Sequence, residues 1–260
     1  MPPQPGRLEI LLRPLTMIWF SICLHWEALK EAIRREGFVA LGRPQQIRDA
    51  ASARLLTVNS KGFIAYENTT IVPSLVHAAS GVVLELGPGP GNQIHRFDPG
   101  LIQQIYGVEP NPFFRDAVDA KLEQSGLRDK YKLIDCGIED SDVLRAEGIT
   151  EGSVDTVLSI QVLCAVKDPR NVMKEVWKLL KPGGKFVFWE HGASRDRLTS
   201  ATQACLNPAW SRLIGCHLTR NVLADILDSG EWENPQEIEE PVDPRSLLPR
   251  IQGILVKKSG

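Results

Sequence analysis

The chain has 260 residues, 43% of them apolar, enough for one large domain with a real core. Its formal net charge of −2 gives no overall pull toward nucleic acid. The five cysteines (Cys23, Cys136, Cys164, Cys205, Cys216) form no CxxC pair, and the five histidines show no metal-ligand spacing, which argues against a disulfide framework or a zinc site, so no metal is expected.

Near the amino terminus, Leu15 to Trp26 reads LTMIWFSICLHW. Leu15, Ile18, Trp19, Ile22, Trp26, Leu29 and Ile33 recur at helical spacing. Met17, Phe20 and Leu24 fall off that stripe, so the first half is apolar nearly all round. The run is shorter than the roughly 20 residues a bilayer span needs. It lacks the small-residue cleavage site of a signal peptide. Two readings stay open. One is a one-sided membrane anchor, with Trp19 and Trp26 at the interface and Lys30, Arg34 and Arg35 following. The other is a helix packed over the main domain, roofing the substrate site. The chain thus divides into a helical segment, 1–60, and a second domain, 61–260.

Residues 44–60 read as a helix that Gly62 breaks, and Asn68–Ala79 reads as another, with Pro73 in its first turns. From Gly81 strands and helices alternate. The expected strands are Val82–Leu86, Gln104–Glu109, Tyr131–Asp135, Val154–Ile160 and Lys185–Glu190. The expected helices between them are Asn92–Arg96, Pro112–Gln124, Glu139–Ala146 and Pro169–Leu180. Asp168 is placed to cap the last of these, Pro169 to open it, and Pro182-Gly183-Gly184 to stop it. Two more helices are expected around Arg195–Ile214 and Thr219–Leu227, then strands at Glu237–Pro241 and Ile251–Val256. Such alternation gives a mostly parallel sheet with helices on both faces.

The first strand runs into ELGPGPG, Glu85 to Gly91. In an open α/β sheet this loop faces the ligand crevice, and glycines let the backbone approach it. Glu109 ends the second strand, where a carboxylate accepts bonds from both hydroxyls of a ribose. No Lys-Ser or Lys-Thr follows the glycines, which excludes a P-loop. Dinucleotide and S-adenosylmethionine (SAM) sites share the remaining features. Three details favour SAM. The third glycine of the dinucleotide pattern would fall on Asn92. Glu85 at the mouth suits a sulfonium or ammonium better than a pyrophosphate. DCGIED, Asp135 to Asp140, follows the third strand, where Ile138 can pack on a purine and Glu139 or Asp140 can accept its amino proton.

The ordered set ELGPGPG, VEPN, IED, VDTVLSIQVL and LLKPGGKF resembles the class I SAM-dependent methyltransferases of the broad type-11 group, over about 81–190. The resemblance implies a Rossmann-like, mostly parallel seven-stranded sheet with an N-terminal helical extension. It implies S-adenosyl-L-methionine as cofactor, with Glu85, Gly87, Gly89 and Gly91 at the methionine end. Glu109, with Pro110 and Asn111, would hold the ribose; Gly137, Ile138 and Glu139 the adenine. Ile160 and Gln161 would line the reacting methyl. VLCAVKDP, EHGA and LNPAWSRLIGCHLTR further resemble small methyltransferase-like proteins of animal endoplasmic reticulum and lipid droplets that methylate alkyl thiols. That likeness implies a cytoplasmic protein attached peripherally to such a membrane through residues 15–26. It departs at KGFIAYENTT and at the acidic stretch after Asp228.

His191, Glu190, His217 and Tyr66 are the candidate catalytic residues. His191 and His217 are possible bases, and Tyr66 a lid over the cofactor. Cys164 reads as a small buried apolar residue. The expected activity is methyl transfer to a small lipophilic thiol or hydroxyl. The alternative is a methyltransferase-like pericyclase of natural-product biosynthesis, which binds SAM without consuming it.

Overall fold

The computed structural model describes residues 7–241 and 245–259, with side chains from Pro14 onward. A parallel core of five strands carries one antiparallel edge strand. The strands are β1 (Gly81–Leu86), β2 (Ile102–Val108), β3 (Tyr131–Ile134), β4 (Val154–Ile160), β5 (Leu180–His191) and β6 (Arg250–Val256). Their order is β3-β2-β1-β4-β5-β6, and only β6 runs antiparallel, against β5. The chain steps outward from β1 to β2 and β3, then returns to the other side of β1 as β4. The point of reversal therefore lies between β1 and β4, directly beyond the glycine loop.

Alternation within the strands builds two cores. Leu84, Leu86, Val157, Phe186 and Phe188 face helices α6 (Ser141–Ala146), α7 (Pro169–Leu179) and α9 (Val222–Leu227). Val83, Ile105, Leu158, Val187 and Trp189 face α4 (Val72–His77) and α5 (Arg115–Leu122). A period of two puts neighbours on opposite faces, so a strand buried on both sides reads as one apolar run. Asp168 accepts a bond from Asn171 N at 3.2 Å, and Pro169 opens α7, as its sequence requires.

Seven strands are not formed among the described residues. Glu237–Pro241 gives only an isolated bridge, Glu239 to Gln252, between the turn Pro235–Glu237 and Pro241. A proline at each end leaves too little backbone for a ladder. Gly62 also fails to break a helix. It lies inside α3 (Ser60–Glu67), and the break falls at Asn59, after α2 (Pro44–Val58). A helical glycine costs about 1 kcal/mol, which the anchoring of α3 described below exceeds. Asn68–Ala79 shrinks to α4 because the Thr69 and Thr70 hydroxyls donate to Tyr66 O and Glu67 O, closing α3 instead. Asn92–Arg96 narrows to a 3-10 turn, Ile94–Arg96, and Pro112–Gln124 to a 3-10 turn followed by α5. Pro182-Gly183-Gly184 does not separate helix from strand: β5 starts at Leu180 and absorbs it through a register shift opposite Val154 and Thr156.

Helix α1 (Arg7–Glu36) packs on α2 and on α8 (Arg197–Leu213). The face that packs is not the apolar stripe. Ser21, Leu24 and Ala28 are buried, and the Ser21 hydroxyl donates to Leu213 O. Trp19 (68% exposed), Trp26 (61%), Leu15 and Ile22 point outward. Ser21, Leu24 and Ala28 thus make the packed face, and the two tryptophans are left outside. No described helix is long and apolar enough to cross a membrane.

Beyond α9, Gly230 lies against Trp177, whose ring meets Trp232 edge-on at 4.9 Å. A Cβ at position 230 would sit 2.3 Å from Trp177 Cδ2, part of a rigid ring. Gly230→Ala is therefore expected to destabilise the fold by about 1–3 kcal/mol. The check is a lower urea midpoint at unchanged slope; an unchanged midpoint would mean the turn shifts freely.

Candidate active site

The glycine loop leaves β1 at the reversal point. Gly87, Gly89 and Gly91 adopt φ of 48°, 52° and 72°, values that L side chains rarely reach. A Cβ on Gly87 would press the Val162 methyls at 3.1 and 3.2 Å, and one on Gly91 would lie 2.7 Å from Ile94 Cδ1. The outer two glycines thus let the loop pack. A Cβ on Gly89 would meet nothing nearer than Gly87 O at 4.0 Å, so the space before the middle glycine is open.

Glu109 ties this loop to the next one. Its Oε2 accepts from Gly89 N at 3.0 Å and its Oε1 from Asn111 N at 2.9 Å. Asn111 Oδ1 caps the following turn by accepting from Phe113 N, and its Nδ2 donates to Asp49 O of α2. Pro110 lies between the two and is exposed. Burial pushes the Glu109 carboxyl up to about 7 against the pull of both amides.

Glu85 is 2% exposed, deeper than a residue at the mouth. It pairs in register with Gly107 of β2. Over that bare position the Tyr131 hydroxyl reaches from β3 and donates to Glu85 Oε2 at 2.6 Å. A Cβ on Gly107 would lie 2.3 Å from the phenol oxygen. Burial holds the Glu85 carboxyl at about 7. Nearby, Lys121 Nζ donates to Asn92 Oδ1 at 2.7 Å and to Ser60 Oγ at 2.9 Å, joining α5 and α3 to the loop.

The segment KGFIAYENTT contributes an unexpected centre. Glu67, at the end of α3, forms a buried ion pair with Arg96, Oε2 to Nη1 at 2.6 Å, both side chains 3% exposed. Gln93 Nε2 donates to the same oxygen at 3.1 Å, and Gln161 Nε2 to the other at 3.3 Å. Arg96 Nη2 donates to Asn68 Oδ1 at 2.8 Å. One carboxylate therefore joins α3, the segment after the glycine loop and the turn after β4. Gln161 holds φ of 62°, the one positive value at a non-glycine among the described residues.

At the expected adenine side, Gly137 N donates to Asp140 Oδ2 at 2.8 Å and Glu139 is exposed. Ile138 is 4% exposed and packs into the core with Leu144. Ile160, half-buried at the end of β4, precedes Gln161.

The candidate catalytic residues separate. Glu190 is fully buried and its Oε1 accepts from Ser159 Oγ at 2.7 Å and Val162 N at 2.8 Å, bracing the turn after β4. Burial raises its carboxyl to about 7. Tyr66 is half exposed, its ring 6.2 Å from that of Trp189. The Arg250 guanidinium of β6 also lies over Trp189, 4.2 Å from the ring centroid, with Nε and Nη1 buried and unpartnered. His191 is 2% exposed. The half-buried His217 donates its backbone N–H to Cys164 O at 2.8 Å, and burial lowers its imidazole pKa.

Cys164, His191 and Cys216, scattered in the chain, come together: one ligand atom from each lies within 4.8 Å of the others. The Cys164 thiol donates to Gln161 O at 3.7 Å, and its nearness, with that of His191 and the Trp210 indole, holds the Cys216 thiol below its ordinary value. Nothing local in the sequence signals this group, nor the Glu67–Arg96 pair or the reach of Tyr131.

A family described as "Methyltransferase domain" matches residues 84–188, from β1 into β5. The chain is 33% identical to thiol S-methyltransferase TMT1B of Rattus norvegicus, over 64% of this chain and 68% of that protein. It is 32% identical to the Homo sapiens thiol S-methyltransferase TMT1B, over 69% and 72%. The chain belongs to the class I SAM-dependent methyltransferases, in the family of the thiol S-methyltransferases. Among solved structures, an O-methyltransferase family protein from Burkholderia thailandensis superposes with a TM-score of 0.59 at 18% identity, over 97% of this chain and 72% of that one. The [4+2]-cyclase SpnF gives 0.55 at 15%, over 75% and 82%. Both show the fold; likeness at that identity does not choose between their chemistries.

The site of this methyltransferase fits its cofactor. The opening before Gly89 admits a ligand to the loop backbone. Each Glu109 oxygen accepts one loop amide and has a second lone pair that would take a ribose hydroxyl. SAM supplies an electrophilic methyl on a sulfonium, and the substrate is a small molecule.

Proposed function

We propose that this methyltransferase transfers the SAM methyl group to the sulfur of a lipophilic thiol. The observation that carries the reading is the identity to two mammalian thiol S-methyltransferases, each matched over more than two thirds of its length. Chemistry supports it. A thiol with a pKa of about 8.5 is already partly ionised at neutral pH, so the site needs less of a base than a phenol would. The residues at the ends of β4 and β5 suit that demand. One oxygen of Glu190 braces the turn after β4, and the half-exposed Tyr66 ring offers apolar surface. In this reading Gly89 and Glu109 bind and orient the cofactor, while Tyr66 on α3 helps exclude water from the acceptor.

The test is formation of S-adenosylhomocysteine (SAH) from SAM with matched alkyl thiols, phenols and carboxylic acids. Thiol-dependent SAH at a rate at least about tenfold above the other classes is expected, the scale of 1.4 kcal/mol in transition-state binding. SAH with phenols alone would replace the acceptor. Bound SAM with no SAH from any acceptor would remove the transferase reading in favour of a cyclase-type use of the cofactor.

The outward stripe of α1 is our candidate for contact with a membrane surface, Trp19 and Trp26 serving as the interfacial anchors. Trp19→Ser/Trp26→Ser is expected to weaken sedimentation with phospholipid vesicles by about tenfold or more, given the apolar area removed. Equal sedimentation of both proteins would reject this.

A further inference from the structure

Cys164 lies in the turn after β4, His191 ends β5, and Cys216 follows α8. Their two sulfurs and a ring nitrogen fall within 4.8 Å of one another. Zinc–sulfur bonds of about 2.3 Å and zinc–nitrogen bonds of about 2.0 Å place tetrahedral ligand atoms roughly 3.5–3.8 Å apart. The three atoms are thus close to ligating distance.

Two further observations point to a built site. The first is an orphan: His191 is 2% exposed, and its Nδ1 is buried without a hydrogen-bond partner. Buried polar atoms are rarely left so. The second is the scaffold. The His217 backbone N–H donates to Cys164 O at 2.8 Å, and Arg220 Nη1 donates to Leu163 O at 2.9 Å and to Val166 O. Those bonds clasp the two cysteine-bearing segments together. Trp210 Nε1 donates to Cys216 Sγ at 3.0 Å, the outer bond that a metal-bound thiolate accepts.

We propose that Cys164, His191 and Cys216 bind one zinc-class divalent cation. The ligands are two thiolates and a neutral imidazole, and binding releases two thiol protons. The bound group is then electrically neutral. Three protein ligands leave a fourth position for an exogenous one, the arrangement of catalytic rather than closed structural sites.

The test uses the full chain, purified under reducing conditions and stripped of metal. Cobalt(II) is titrated in while thiolate-to-cobalt charge transfer is read in the near ultraviolet, and zinc content is measured on protein reconstituted and dialysed. Wild type should show the charge-transfer band saturating at about one equivalent, displaced by zinc. Cys216→Ser and His191→Ala should lose or weaken it by at least about tenfold, while Cys205→Ser, a change at an exposed cysteine outside the cluster, keeps it. SAM binding by each variant confirms that it is folded. Reduced, folded wild type with no cobalt band would overturn the proposal, as would a band that survives Cys164→Ser/Cys216→Ser. So would a Cys164–Cys216 disulfide that forms in the zinc-reconstituted protein once reductant is removed.

Discussion

Replacing Arg96 with methionine is expected to cost the fold about 3–5 kcal/mol, the usual result of leaving a buried carboxylate without its cation. Glu67 and Arg96 are each 3% exposed in their side chains, so water cannot take the place of the missing partner. A typical domain has about 5–15 kcal/mol in all, so the variant is close to unfolding. Glu67→Leu/Arg96→Met is expected to recover much of the loss, because neither charge is then buried. Urea titrations of the single and double variants read both effects. The single variant should also bind SAM less well, since α3, the segment after the glycine loop and Gln161 all meet at Glu67. A loss below about 1 kcal/mol, the range of an exposed pair, would show that the pair is not sealed from solvent.

Glu109 carries the second large effect. Glu109→Ala is expected to weaken SAM binding by about 10- to 100-fold, corresponding to charged hydrogen bonds of about 1.5–3 kcal/mol. The wild-type protein should also be pH-sensitive. Its carboxyl is held at about 7 by burial, and a ribose hydroxyl donates best to the ionised form. Affinity should rise with pH through about 7, and at pH 6 be about tenfold weaker than its plateau. Calorimetric titration between pH 6 and 8 measures this; a flat profile would detach Glu109 from the cofactor. Stability without cofactor should run the other way. Glu85, Glu109 and Glu190 all stand near 7 in the fold. Each is raised above its unfolded value, so its contribution is full below about 4.5 and is lost as pH rises through about 7.

What could be read from the chain was local. Val154–Ile160 forms β4 with the expected ends because its β-branched and apolar residues are bounded by Gly152 before them and by Gln161, at φ 62°, after them. Asp168-Pro169 starts α7 because capping is decided within one turn. The bare loop and Glu109 could be placed because strand, loop and acid follow one another in sequence. The unread part was made by contacts across the sheet. Tyr131 meets Glu85 only because β2 supplies Gly107 between them. Cys164, His191 and Cys216 meet because two loops and a strand end converge. For α1, periodicity marks an apolar stripe without saying which face packs, and here Ser21, Leu24 and Ala28 pack while the stripe stays outward.

Gln161 shows what the turn after β4 costs the protein. Its left-handed backbone at φ 62° is disfavoured for any side chain bearing a Cβ, by about 1–2 kcal/mol. Glycine would relieve that penalty and would also discard the amide that reaches Glu67. Backbone comfort and the bond to Glu67 therefore pull this one position in opposite directions.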